Sequence, residues 1–289
     1  MGFFATFSSW LDAQLTSYIA NNTARLSAAL EPAAVTLGTV YVMVWGYLQL
    51  TGKIEEPFMT GLRRIMLLVI VLGGALQLWL YNAVIVDTFY NAPAQLAAAV
   101  AGAASPVNTL DVVWQAGGNV ASQLWSRAGL FNGDFGFYIA GVLVWIIMGL
   151  VCCYAMFLIA LSKIALAVLL ALGPLFIIFR LFEGTRRLFD AWLMQLANYG
   201  FITVLTVLVG ALLLTLIQSY ATQTAARGAA LATVDALDML LAAVIVLLVL
   251  RQIMPIAASL AGGGSLSTMG TWSRGVGGFV RSLPGRIIR

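Results

Sequence analysis

The chain is predicted to be an all-α, polytopic helical integral membrane protein, and three observations predict it. Residues 135–179 form an apolar run that contains a single charge, Lys163, whereas one helical crossing of a bilayer needs only about 20 apolar residues. Hydrophobic residues make up 62% of the 289-residue chain and charged residues 9%, with a mean hydropathy of +0.98. A soluble domain of this size must cover far more exterior with polar groups. The apolar stretches also recur between short polar links, at a spacing that gives about five transmembrane helices.

The elements follow in chain order. Residues 1–32 are read as an amphipathic helix at the periplasmic or interfacial side. Phe3, Phe4, Phe7, Trp10, Leu11, Leu15, Tyr18 and Ile19 recur at helical steps, and Ser8, Ser9, Asp12, Gln14 and Ser17 fill the other face. That segment is too polar to span, and its aromatics suit the membrane–water boundary. Asp12 falls where a signal peptide would need an unbroken apolar core, so the segment is expected to stay on. Its aromatic face, Phe3, Phe7, Trp10 and Tyr18, is either a partner-docking surface or packing for the protein's own bundle. Asn21-Asn22-Thr23 is expected to end the helix, and Glu31-Pro32 to open the next, since Pro is tolerated in a first helical turn.

A transmembrane domain then covers residues 33–256, with spans near 33–50, 65–86, 137–161, 192–217 and 234–256. Gly73-Gly74 is a place where helices can approach closely. Residues 87–134 form the largest non-spanning region, expected to be periplasmic, with turn signals at Ala92-Pro93, Ser105-Pro106 and Asn132-Gly133. Inside it Leu110, Val113, Trp114, Gly117, Val120, Ala121, Leu124 and Trp125 make a second amphipathic stripe. Ser162-Lys163 is expected to interrupt the long apolar run, leaving a broken segment, 164–179, with Gly173-Pro174 inside it. A charged cytoplasmic link covers 180–191. A Gly-, Ser- and Arg-rich cytoplasmic tail covers 257–289.

Basic residues set the orientation, because cytoplasmic links carry the excess of Lys and Arg. With five spans and the N-terminus outside, twelve of the fifteen basic residues lie in the cytoplasm and Arg25, Arg127 and Arg227 outside. A sixth crossing within 137–179 lowers the partition to ten against five and exports the cluster at 53–64. Five spans therefore leave residues 164–179 without a crossing. That segment re-enters, lies along the cytoplasmic face, or extends the preceding helix past the headgroups. Lys163 then either snorkels to the inner boundary or, if deep, lines a polar path.

Composition also excludes chemistry. The chain has no histidine, which removes imidazole bases and His-ligated metals. Cys152 and Cys153 are adjacent within an apolar segment and read as small hydrophobes. No GxxxxGK[ST] run occurs. Gly262-Gly263-Gly264 reads as a hinge, and the eleven carboxylates form no pair suited to acid–base work. Enzyme activity is not expected, and no catalytic, cofactor-binding or metal-ligating residue is assigned.

The stretch Leu172-Gly173-Pro174-Leu175-Phe176-Ile177-Ile178-Phe179, followed by Phe182, Thr185, Phe189 and Trp192, resembles the signature region of the TrbL-like inner-membrane subunits of type IV secretion systems, the machines of bacterial conjugation and effector export. In that family a Gly-Pro-containing apolar helix leads into a cytoplasmic-side turn and then a Trp at the start of the next span. The wider plan, an outside N-terminus, five spans, a periplasmic loop after the second and a cytoplasmic tail, is similar too.

The resemblance implies a non-enzymatic component of the translocation channel and pilus-assembly platform in the bacterial inner membrane. It implies a homo-oligomeric ring with partners among pilin, the pilus-tip protein and cytoplasmic ATPases, and a DNA–protein or effector substrate. From the residues themselves, the alternating charges and uncovered apolar side chains make Arg180, Phe182, Arg186, Arg187, Phe189, Asp190 and Trp192 either candidate contacts with neighbouring subunits or partners, or an ordinary interfacial helix. Lys163, Gly173 and Pro174 become candidate pathway or helix-break residues. A small-molecule or ion transporter and a purely structural scaffold are the competing classes. The tail arginines serve anionic lipid as readily as DNA.

Overall fold

A computed structural model describes residues 2–52, 58–101, 106–127, 135–181, 184–227 and 233–262. The described residues are helical almost throughout and contain no strand. In chain order they form α1 (Phe3–Leu50), α2 (Phe58–Leu76), α3 (Leu78–Tyr81), a π-helix (Asn82–Asn91), α4 (Ala92–Ala101), α5 (Pro106–Arg127), α6 (Phe135–Ala171), α7 (Gly173–Phe179), α8 (Arg186–Arg227) and α9 (Thr233–Ala261). Four helices are long and apolar enough to cross a membrane, and a fifth crossing arises if the bent pair Gly61–Leu76 and Leu78–Val100 is one span. The protein is thus an all-α polytopic membrane protein.

The centre of the bundle is α6, which packs against α1, α5, α8 and α9. One apolar core joins Val144, Met148, Val151, Cys152 and Ile159 of α6 to α5, α8 and α9; a second gathers around Leu166 and Leu170 with α1, α7 and the start of α8. Helix α5 presents Leu110, Val113, Val120, Ala121 and Leu124 inward, all buried, which is the amphipathic stripe legible in the sequence. Gly117 lies so close to Met148 that a Cβ there would press on it.

Several expected boundaries move. Helix α1 does not stop at Asn21-Asn22-Thr23 or restart at Pro32 but runs unbroken for 48 residues. The asparagines do not cap. Asn22 donates to the Tyr18 carbonyl at 2.8 Å and Asn21 to the Ser17 hydroxyl at 3.3 Å, bonds that run back along the helix they were expected to end. Pro32 removes one ladder bond, and an inward stripe of Phe4, Ser8, Leu11, Ile19, Thr23, Ser27, Ala34 and Gly38 outweighs that loss. At 1.5 Å per residue α1 is about 70 Å long, well over the ~30 Å of a hydrocarbon core.

Ser162-Lys163 does not interrupt α6 either, which continues for 37 residues to Ala171. The Ser162 hydroxyl bonds the Ile159 carbonyl and the Thr203 hydroxyl, so it leaves the backbone ladder intact. The second span bends by 84° at Gln77 instead of running straight to residue 86. Much of the region expected as loop, 87–134, is the π-helix, α4 and α5, with Pro106 opening α5 as a first-turn proline. A side chain at Gly73 or Gly74 would meet nothing within 4 Å; α1 and α2 come close instead at Gly61, against the Trp45 ring, and at Gly38, against Leu68 and Leu72. Phe182 and the tail beyond Gly262 lie outside the described residues.

Candidate functional site: a Gly-Pro corner and an ion pair

The corner begins with a proline's missing N–H. Helix α6 ends at Ala171, Leu172 turns, and Pro174 stands in the first turn of α7. In a continuous helix the Leu170 carbonyl would accept from residue 174, which here has no donor. The Tyr81 hydroxyl donates to that carbonyl instead, at 2.6 Å, from the fully buried end of α3. The preceding carbonyl, Leu169, accepts from the Trp192 indole Nε1 at 2.9 Å. Gly173 makes room for this, since a Cβ there would overlap the Tyr81 ring and hydroxyl.

The aromatic residues after the break close the corner. Phe176 stacks on Trp192 with ring centroids 5.8 Å apart and planes 10° apart, Phe189 meets the same indole at 5.8 Å, and Phe179 stands edge-on to Phe176. The Thr185 hydroxyl donates to the Phe179 carbonyl at 2.8 Å and holds the return of the chain. Gly173, Pro174, Phe176, Thr185, Phe189 and Trp192 are therefore brought into one unit. Arg186, Arg187 and Asp190 are exposed beside it, and Arg180 is half-buried. Two arginines in the first turn of α8 oppose the helix dipole by about 0.3–1 kcal/mol each, so helix stability is no reason for them.

Lys163 is taken up inside the subunit. Its Nζ lies 2.7 Å from both carboxylate oxygens of Asp12 and 3.3 Å from the Ser8 hydroxyl, and the Tyr90 hydroxyl donates to the same carboxylate at 3.1 Å. The lysine side chain is 12% exposed and the aspartate 38%. Three elements, α1, the π-helix and α6, thus converge on one charge pair. A second carboxylate fastens the start of α1: buried Asp111 of α5 accepts from the backbone N–H groups of Phe4 and Ala5 at 3.1 and 3.0 Å. It fills the N-cap role from another helix, where its charge also suits the helix dipole.

These two anchors turn Ser8 and Asp12 inward beside the buried Phe4, Leu11 and Ile19, and leave Ser9, Gln14 and Ser17 exposed. Phe3, Phe7, Trp10 and Tyr18 face outward, 72%, 36%, 59% and 44% exposed, with Phe3, Phe7 and Trp10 in ring contact. The residues missed from the sequence are Tyr81, Asp12, Tyr90 and Asp111. Each has a signal in hindsight: a phenol or carboxylate next to apolar helices needs a partner, and Lys163 and Pro174 supply the complementary need.

Known proteins resemble this chain over most of its length. The model of the TrbL/VirB6 plasmid conjugal transfer protein family matches residues 38–253. A type IV secretion system protein VirB6 of Bartonella quintana is 25% identical over 222 residues, 73% of this chain and 65% of that protein, as is its counterpart in Bartonella henselae. The VirB6 protein of Brucella abortus is 26% identical over 191 residues, 62% of this chain and 54% of that protein. The matched region spans just under two thirds of the Bartonella proteins and about half of the Brucella one. With the family model covering the corner, the last quarter of α1 and nearly all of the bundle that follows, this chain belongs to the TrbL/VirB6 plasmid conjugal transfer protein family.

Proposed function

We propose that the protein is a non-enzymatic inner-membrane component of a type IV secretion machine, forming part of its translocation channel and of the platform on which the pilus is assembled. The observation that carries this reading is the outer face of α5. Its inner face lies along the first half of α6, whose own outward residues at that depth, Ile139, Leu143, Ile146 and Leu150, are exposed and apolar. The outward residues of α5 are mostly different: Asn108, Gln115, Asn119, Ser122, Gln123 and Ser126 are exposed and uncharged, with Val112 and Trp125 the apolar members of that face. Hydrocarbon offers such groups no hydrogen-bond partner, and polar surface at membrane depth is tolerated only against protein or water. A neutral polar wall suits a pathway that must let a large charged cargo slide without holding it.

The test is thiol accessibility. In a chain carrying Cys152→Ala and Cys153→Ala, Asn119→Cys and Ser122→Cys should react with a membrane-impermeant maleimide, and a bulky adduct should reduce DNA transfer at least tenfold while the protein stays in the membrane. Ile146→Cys, on the lipid-facing side, should resist the same reagent. Unreactive Asn119→Cys and Ser122→Cys, or full transfer after labelling, would remove the channel reading.

One subunit of this width encloses no such pathway, so the wall belongs to a ring, most simply with cyclic symmetry. Pilin and the pilus-tip protein are the proposed periplasmic partners and ATPases the cytoplasmic ones, supplying the energy that this chain has no P-loop to provide. Helices α1 and α6 run parallel: Phe4 sits with Asp111, next to the Leu110 carbonyl that Cys152 faces, and Asp12 sits with Lys163. With the basic residues concentrated at 53–64, 180–187 and beyond 250, both run from the periplasm inward, which gives a periplasmic N-terminus and a cytoplasmic C-terminus. Fusions at Gly184 should be active with a cytoplasmic fluorescent reporter and silent with alkaline phosphatase; fusions at Gly118 should do the reverse. Phosphatase activity at Gly184 would overturn this topology.

A further inference from the structure

We infer that the ring closes head to tail, with the Gln14–Ser17–Tyr18 stripe of α1 in one subunit docked into the groove between α8 and α9 of the next. The inference rests on the ring reading above and names its two contact faces.

The first argument is placement. Helix α1 packs on α2, α3, α5, α6 and α7, and its backbone does not approach that of α8 or α9 among the described residues. It therefore occupies one flank of α6 and the α8–α9 pair the other. A contact between two different flanks of one subunit is heterologous, the kind that generates rings.

The second argument is depth. Asp12 of α1 meets Lys163, and the neighbouring Ser162 meets Thr203 of α8 at 2.7 Å, so residues 12 and 203 stand at one level on opposite flanks. Helix α8 runs antiparallel to α6, since Trp192 meets Leu169 and Thr203 meets Ser162. Moving from 203 back to Asn198 and Gln195 descends toward the end of α6, and so does moving from 12 forward to Ser17 and Tyr18. Both surfaces lie within about 12 Å of the reference level, at 1.5 Å per residue.

The third argument is chemistry. Gln14, Ser17 and Tyr18 are exposed on α1. The α8–α9 groove encloses about 190 Å³ and is lined by Gln195 and Asn198 together with small residues such as Ala258 and Ala261. The Asn198 amide oxygen is buried with no hydrogen-bond partner in the subunit. Neither surface suits lipid, which can satisfy none of these groups. Small residues permit close helix approach, and uncharged amides and hydroxyls bond across such interfaces. Each face supplies what the other lacks.

Disulfide trapping tests this in the full chain within transfer-competent cells, again with Cys152→Ala and Cys153→Ala. A chain carrying both Ser17→Cys and Asn198→Cys should give, on mild oxidation, a ladder of covalent oligomers ending at one closed size. The two positions within a subunit lie on opposite flanks of α6, beyond the roughly 7 Å that a disulfide spans, so the ladder reads contacts between subunits. Each single-cysteine chain should give no dimer, and the two co-expressed should give dimers and nothing larger. Dimers from Ser17→Cys alone or Asn198→Cys alone would mean an isologous contact and overturn the proposal. An oligomer intact on a native gel but untrapped by the pair would overturn these faces while leaving the ring. A monomer on that gel would remove the ring and the interface with it.

Discussion

Lys163→Met alone should harm the protein more than Lys163→Met combined with Asp12→Leu. The asymmetry follows from where the pair sits. Lys163 is almost fully enclosed, and its two contacts to Asp12 are 2.7 Å long. Removing one partner strands the other charge against apolar helices. An unpaired charge in a transmembrane helix costs about 2.5–3.5 kcal/mol on insertion scales, while exchanging a whole buried pair for apolar residues is often neutral or stabilising. Asp12, more than a third exposed, recovers part of that cost through water, so Lys163→Met should fall at the lower end and Asp12→Leu at the upper. At about 1.4 kcal/mol per factor of ten, the expected loss of folded protein in the membrane is tens-fold for Lys163→Met, up to a few hundred-fold for Asp12→Leu, and small for the double. The exchanged pair, Asp12→Lys with Lys163→Asp, should recover much of the wild-type level. Steady-state amounts in isolated membranes and thermal midpoints in detergent report both. Equal damage from the single and double apolar variants would show that the pair does not hold α1 against α6.

The helical membrane fold was legible because hydropathy is a local property. An apolar run needs no partner to declare itself, and α6, the lower part of α8 and α9 each announce themselves in their own residues. The boundaries were less legible because they depend on distant groups. Lys163 looks like a break until Asp12 is placed beside it, 151 residues away in sequence. Asn21 and Asn22 look like a stop signal until their amides are seen bonding back along the same helix. Residues 92–101 carry six alanines in ten, a strong helix preference, yet Pro93 and the polar residues around it read as turns.

The Gly-Pro corner was visible as a motif and opaque as a mechanism. Sequence shows that Pro174 must free a carbonyl, but nothing local to residues 172–192 reveals the donor. Tyr81 lies 89 residues upstream of Leu170, at the end of a span that sequence reads as straight. The reason for a tryptophan at 192 is equally hidden, since its indole N–H answers a carbonyl 23 residues earlier. The aromatic face of the N-terminal segment was recognised, while its direction was not, because the anchors that turn it outward, Asp111 and Lys163, belong to other helices.

Tyr81→Phe should destabilise the protein, and adding Pro174→Ala should recover much of the loss. The phenylalanine keeps the buried ring and removes only the hydroxyl, leaving the Leu170 carbonyl in an apolar corner without a donor. A buried unsatisfied group of that kind costs about 1–3 kcal/mol. Alanine at 174 restores a backbone N–H at the position from which a helix would normally serve that carbonyl, so the hydroxyl is no longer required. In the wild-type background Pro174→Ala gives the carbonyl two competing donors and loosens the break, so its own effect should be small in stability and larger in transfer. Gly173→Val should be worse than either, because its branched side chain occupies the space of the Tyr81 ring, and overpacking costs about 1–3 kcal/mol before any hydrogen bond is lost. Tyr81→Phe cannot relieve that clash, since the ring remains. The order of thermal midpoints should therefore run from wild type through Tyr81→Phe with Pro174→Ala, then Tyr81→Phe, to Gly173→Val. If the two changes at 81 and 174 simply add, the hydroxyl serves some need other than the carbonyl that the proline exposes.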